Sequence, residues 1–232
     1  MKNFILYITL LFVGIGNSQE INQFDANGNR HGVWKKKFDD TEQIRYEGEF
    51  NHGREIGLFK FYKLIKKKSV LTATKEFNDS NLSAKVKFLS SKGKVISEGK
   101  MIGKTYVGDW IYYHNNSTKV MTSETYTNEG LLTGKRLVYY KTGQLAEEAN
   151  YVNGKLEGVS KWISLKNVVL KEFIYENNEL HGIAKYHNPK GELLAEGNYK
   201  RGKKVGIWKY YENGKLIEEK DFNKISKKKT KQ

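Results

Sequence analysis

The chain of 232 residues contains no cysteine, which excludes a disulfide framework, a thiolate zinc site and a cysteine nucleophile. The absence leaves the redox compartment open. There is one proline, Pro189, against 22 glycines. Arginine is scarce: five of 41 cationic residues, in a chain of net charge +15. Arginine is the side chain suited to bidentate phosphate recognition, so a lysine-rich surface of this kind points away from specific nucleic-acid binding. Two readings of the charge stand: a solvated face, or loose contact with an anionic envelope polymer or a membrane surface. No G-x-S-x-G elbow and no H-E-x-x-H pair occurs. The run from Gly197 to Lys204 imitates a phosphate loop but lacks Ser or Thr after its lysine. After Val13 no segment is apolar enough to cross a membrane.

What is present begins with an N-terminal leader pattern. Lys2 is a short basic region, Phe4 to Val13 is apolar apart from Thr9, and Gly14, Gly16 and Ser18 are small. This is the pattern of a secretory signal peptide over residues 1–18. An uncleaved anchor and a buried first strand are the alternatives. Export places the mature chain in the periplasm, at an outer membrane or outside the cell. The C-terminal residues 224–232 hold five lysines and one large apolar residue, Ile225. They read as a basic disordered tail, because dense like charge cannot offset ordering entropy.

Between these ends the sequence repeats. A glycine, or in one copy Ala84, recurs at 32, 57, 84, 108, 134, 158, 182 and 206. Such periods mean a stacked array of small units. The last unit reads GIWKYYENGKLIEEKDF from Gly206. Trp208 and Tyr210 alternate as on one face of a strand, and Glu212-Asn213-Gly214 reads as a three-residue hairpin loop before Leu216. An aliphatic residue and a residue six further on recur in every unit, from Ile44/Phe50 to Leu193/Tyr199 and Leu216/Phe222. Six is even, so both members are expected on one face. Leu145, Val169 and Leu193 with Tyr151, Tyr175 and Tyr199 then form one buried row. The other face is expected to carry a ladder of Lys, such as Lys161 and Lys209, beside Glu, such as Glu172 and Glu219. A second turn, as at Asn153-Gly154 and Arg201-Gly202, links the units. The fold class is all-β: an open, single-layer antiparallel meander of about eight hairpins and sixteen strands. Longer loops are expected at Leu64–Ser69 and His114–Lys119.

The combination of an aromatic pair, an Asn-Gly turn, L-x-E and Y-x-x-G-x-x-x-G resembles the MORN-repeat family, in its bacterial variant. Trp208, Tyr210, Tyr211, Asn213, Gly214, Leu216, Tyr199, Gly202 and Gly206 carry the resemblance. It covers about Phe24 to Phe222, within a repeat domain spanning 19–223. It implies a sheet of hairpins and a role in protein or membrane association.

No unit holds a unique reactive constellation, so no catalytic residue, metal ligand or cofactor site is expected. His31 and His181 each precede a repeat glycine and read as turn residues; a His181–His187 metal pair is the weaker reading. The functional expectation is an exported, non-catalytic scaffold that binds a protein through an extended sheet face. The alternatives are a cell-wall or glycan module and an anionic-lipid module. Trp34, Trp110, Tyr112, Trp162, Tyr186, Trp208 and Tyr210 are the candidate residues, as binding face or as core. Accessible tryptophans favour stacking on sugars, and buried ones favour the protein scaffold.

Overall fold

A computed structural model describes residues 20–78 and 81–223. The expected signal peptide and basic tail lie outside the described residues. The described residues form one antiparallel meander of eighteen strands. In chain order these are β1 (Gln23–Phe24), β2 (Arg30–Lys37), β3 (Ile44–Asn51), β4 (Arg54–Ile65), β5 (Lys68–Phe77) and β6 (Ser83–Leu89). Then come β7 (Val95–Ile102), β8 (Thr105–Tyr113), β9 (Val120–Tyr126), β10 (Leu132–Tyr139), β11 (Leu145–Val152) and β12 (Lys155–Leu156). The last six are β13 (Gly158–Ile163), β14 (Val169–Glu176), β15 (Glu179–His187), β16 (Leu193–Lys200), β17 (Lys203–Glu212) and β18 (Lys215–Asp221). The count exceeds sixteen for two reasons. A two-residue β1 precedes the first hairpin, and the strand around Gly158 is split into β12 and β13. The eight hairpins are those expected.

The repeat glycine marks a β-bulge. Between β16 and β17, Asn198 faces Val205 and Glu196 faces Lys209, so four residues answer two across Gly206. The same slip occurs at Gly57, Gly108, Gly134 and Gly182. At Gly158 the same two-residue excess divides the strand into β12 and β13. Each of these glycines has positive φ, from +61° at Gly57 to +89° at Gly182, a region that costs other residues about 1–2 kcal/mol. The unit that carries Ala84 in place of glycine confirms the cause. There β5 and β6 pair without a slip, from Ala73↔Phe88 to Phe77↔Ala84.

A second bulge sits inside every hairpin and corrects the expected parity. In the last unit Tyr210 faces Glu218 while Tyr211 faces Leu216. The same shift occurs in the other seven hairpins. The extra residue turns the aliphatic position to the face opposite its partner six residues on. Leu145, Val169 and Leu193 therefore do not share a buried row with Tyr151, Tyr175 and Tyr199. All six are half-buried. Leu216 pairs with Tyr211 and not with Tyr210, and the loop before it is the two-residue Asn213-Gly214, both at positive φ. The expected long loop at Leu64–Ser69 is also strand, since Ile65 faces Lys68 across a tight Lys66-Lys67 turn. Both lysines have positive φ, the type I′ geometry that follows strand twist.

Turns between units are fastened to the unit before. Gly154 N donates to Leu132 O at 2.7 Å, Asn178 N to Leu156 O at 3.0 Å and Gly202 N to Leu180 O at 2.9 Å. These turn amides would otherwise lack a backbone partner.

Candidate binding face

The two sheet faces differ in chemistry. One carries the Lys/Glu ladder. Lys35 and Lys60 flank Glu47 at 3.6 and 3.4 Å, Lys87 meets Glu98 at 3.3 Å, and Lys161 meets Glu172 at 3.3 Å. These pairs are solvated and each contributes little, about 0–1 kcal/mol. The carboxylates have a second partner. Tyr62 Oη donates to Glu47 at 2.7 Å and Tyr211 Oη to Glu196 at 2.9 Å, and Tyr113 Oη donates to Glu98. The phenols hold Glu47 and Glu98 below the usual carboxylate range. Reciprocally, Tyr62 is pushed up to about 12, first by burial and then by Glu47. Tyr113 rises to about 12, chiefly through Glu98.

The other face holds the core. Its central line runs across the strands through Trp34, Gly48, Phe59, Lys75, Val86, Gly99, Trp110 and Glu124. It continues through Arg136, Ala149, Ser160, Phe173, Ala184, Gly197 and Trp208. Phe59, Trp110 and Trp208 are fully buried although the described residues form a single sheet. Their shelter comes from a trade in size between neighbours on the line. A Cβ on Gly99 would lie 2.5 Å from Trp110 Cε2, and one on Gly197 2.5 Å from Trp208 Cγ. Where the second-strand residue is large, as at Phe173, the residues beside it shrink to Ser160 and Ala184. The bulge completes the slot. It brings the residue two before the glycine onto the ring two after it. Tyr106 stacks on Trp110 at 3.9 Å between centroids, and Lys204 Nζ lies 3.8 Å over the Trp208 ring. The indole N–H groups use carbonyls opposite the bulge: Trp110 Nε1 donates to Lys100 O at 2.9 Å and Trp208 Nε1 to Asn198 O at 3.1 Å.

In the middle of the line the ring gives way to charge. Arg136 stands at the tryptophan position, with Nε 3.0 Å from Glu124 and Nη1 3.0 Å from Glu147. Tyr126 Oη donates to Glu124 at 2.6 Å, and burial first and that carboxylate second push the Tyr126 phenol up.

The seven candidate aromatics thus divide. Trp34, Trp110 and Trp208 occupy the buried line. Trp162 does not belong with them. It shares the next position along the first strand with Tyr112, Tyr186 and Tyr210, all half-buried. Opposite the bulge glycines stand Tyr126, Tyr151, Tyr175 and Tyr199. Two partly exposed tyrosine rows therefore flank the buried line. They touch at Tyr186 Oη–Tyr199 Oη, 3.2 Å. The second row was legible as the residue six after the aliphatic, but its role as rim needed the bulge. The glycines under the rings, Gly48, Gly99 and Gly197, each follow Glu in an E-G pair, the one mark of their position in the sequence.

Residues 132–153, 180–201 and 204–224 match the family model described as MORN repeat variant. No curated protein matches the chain. Among solved structures, a mutant of S. aureus TarM in complex with fondaparinux, alpha-GlcNAc-glycerol and UDP is similar at 14% identity and a TM-score of 0.22. The match covers 62% of this chain and 21% of that one, and at that score it carries no argument about fold or activity.

Proposed function

We propose that this chain, three segments of which match the MORN repeat variant, is a non-catalytic, exported scaffold that binds a protein partner across its aromatic face. The observation that carries the reading is the pair of half-exposed tyrosine rows beside a fully buried ring line. Tyrosine gives large contact area at little conformational cost and a hydroxyl for orientation, which suits it to protein interfaces. Burial of Trp34, Trp110 and Trp208 takes three of the four tryptophans away from stacking on a sugar, with Trp162 half-buried. The Lys/Glu face is internally paired, which weakens it as a general anion attractant.

The test is capture of partners from an envelope extract by the mature chain and by a Tyr112→Ala/Tyr186→Ala/Tyr210→Ala variant. Purified wall polymer and anionic vesicles serve as parallel baits. We expect a protein retained by the parent and lost by the triple variant, whose far-ultraviolet spectrum remains that of a sheet. Retention of the same protein by the variant would remove the aromatic face. Equal capture on wall polymer or vesicles alone, with no protein, would replace the reading by one of the alternatives.

A further inference from the structure

The aromatic face changes character in the first unit. Lys36 faces Tyr46 in the row that holds Tyr112, Trp162, Tyr186 and Tyr210, and no other unit places a charge there. Arg45 is the extra residue of its hairpin bulge. Its counterparts run from Thr72 and Ile96 to Leu194 and Ile217, and none of them is charged. Arg30 stands two residues before Gly32, where later units have Leu132, Leu156 and Leu180. Three cations therefore gather in positions that are mostly apolar or aromatic elsewhere in the array.

The three line one open groove of about 620 Å³, together with Tyr46, Phe50, Phe61 and Glu55. Arg30 is held in place. Its Cζ lies 4.9 Å from the Trp34 centroid and 5.2 Å from that of Phe50, and Nη1 donates to Tyr46 Oη at 3.2 Å. Lys36 and Arg45 are exposed, and among the described residues their side chains make no hydrogen bond or ion pair. On the opposite face the lysines of the same strands are matched, since Lys35 and Lys60 flank Glu47. The groove has a single carboxylate, Glu55, which does not neutralise it. Glu55 forms no hydrogen bond or ion pair among the described residues. Burial pushes its carboxyl above the usual range, while Lys75 and Arg30 pull it back.

We propose that this groove is where the protein partner seats an acidic segment, its carboxylates on Arg30, Lys36 and Arg45. The proposal rests on the protein-partner reading of the aromatic face and names the chemistry of one end of it. A guanidinium offers a carboxylate two parallel N–H groups, and the lysine adds a point charge. The walls favour a peptide over a phosphate polymer. Tyr46 and Phe61 are half-buried with centroids 6.3 Å apart, and they cover the methylene stem of a glutamate. A phosphate chain has no apolar part to lay on them. Glu55 faces Phe50 and sets the limit of the site, because a carboxylate that advanced past Phe50 would meet a like charge.

The experiment is fluorescence anisotropy of a labelled hexaglutamate peptide, titrated with the full chain at about 150 mM salt to suppress long-range attraction. Three comparisons accompany it: a hexaglutamine peptide, the chain with Lys36→Gln/Arg45→Gln, and the chain with Lys166→Gln/Lys190→Gln. The last removes equal charge from two exposed hairpin loops. We expect saturable binding by the parent, weakened at least about tenfold by Lys36→Gln/Arg45→Gln and less than about twofold by Lys166→Gln/Lys190→Gln. Lys36→Gln/Arg45→Gln should keep the parent melting temperature, since both side chains are exposed. Equal weakening by the two double variants would reduce the effect to net charge, and equal binding of hexaglutamine would remove it. Either result would overturn the proposal. Displacement of the peptide by inorganic phosphate or by phosphatidylglycerol vesicles at matched charge would assign the groove to a phosphate-bearing ligand and overturn it as well. Two further results keep this site distinct from the wider reading. The triple tyrosine variant should bind hexaglutamate as the parent does. A protein captured equally by the parent and by Lys36→Gln/Arg45→Gln would overturn the groove and leave the protein-partner reading standing.

Discussion

At the scale of single residues, glycine does two separate jobs here, and substitution separates them. Gly197 is a matter of space. Gly197→Ala places a methyl in the Trp208 ring and should cost about 1–3 kcal/mol by overpacking. Gly206 is a matter of backbone, with nothing within 4 Å of a built Cβ and φ at +66°. Gly206→Ala should cost about 1–2 kcal/mol through left-handed strain alone. The two are distinguished by a second change. Trp208→Val relieves the first variant, as Val86 shows for a small residue on the same line, and does nothing for the second. Urea midpoints of the parent, the three single variants and the two double variants should give a coupling of at least about 0.5 kcal/mol for the 197–208 pair and near zero for 206–208. The repeat glycines were legible from spacing alone. Their physical role was not, because a bulge and a turn both ask for positive φ. Ala84 was readable as a departure, and its meaning appeared only in the unbroken register of β5 with β6.

At the scale of the element, the hairpin was read correctly and its phase was not. Counting by twos assumes one residue per pair, and one extra residue exchanges the faces. The consequence is measurable. Leu193, half-buried and apart from the ring clusters, should lose less than about 2 kcal/mol on replacement by Ala, whereas fully buried Phe59 should lose about 3–5 kcal/mol. A denaturation series that reversed this order would restore the single-face reading. Each Lys/Glu face also binds its phenols in a pH-dependent way. Tyr62 and Tyr113 rise from an ordinary value of about 10 to about 12 when folded. The protonated phenol is the form the fold favours, so this contribution is whole below pH 10 and is lost as pH rises through 12. Absorbance titration at alkaline pH should show a late group of phenols that includes Tyr62, Tyr113 and Tyr126, and Glu47→Gln should bring one of them earlier. The sequence placed Glu47 in a charge ladder with lysine; its phenolic partner lies fifteen residues away, and only the bulged register aligns the two.

At the scale of the molecule, the meander and its eight units were legible because a period repeated eight times averages out local exceptions. The distribution of the core was not, because it depends on which residue each unit places on the ring line. Buried clusters gather around Trp34 with Phe59, around Trp110, and around Trp208 with Phe173. Phe77 bridges the first two. Between the second and third lie Arg136 and Ser160, with a charged triad in place of a ring. A stacked array is held only by neighbours, so its stability varies along the chain. Amide exchange should therefore be fastest, among strand interiors, in β10 to β13; uniform protection across the sheet would contradict this. Arg136→Ala would leave two partly buried carboxylates without their shared partner and should cost about 1–3 kcal/mol. The triad also has a mechanical meaning. Hydrogen bonds between charged groups give way over a short extension, while interlocked rings yield only when they part. Pulled by its ends, the sheet should open first at its centre, leaving two compact halves that rupture later. A sheet with such a weak seam behaves under tension as two rigid plates on one hinge, and the load at which the seam parts sets the greatest force that can pass from one half to the other.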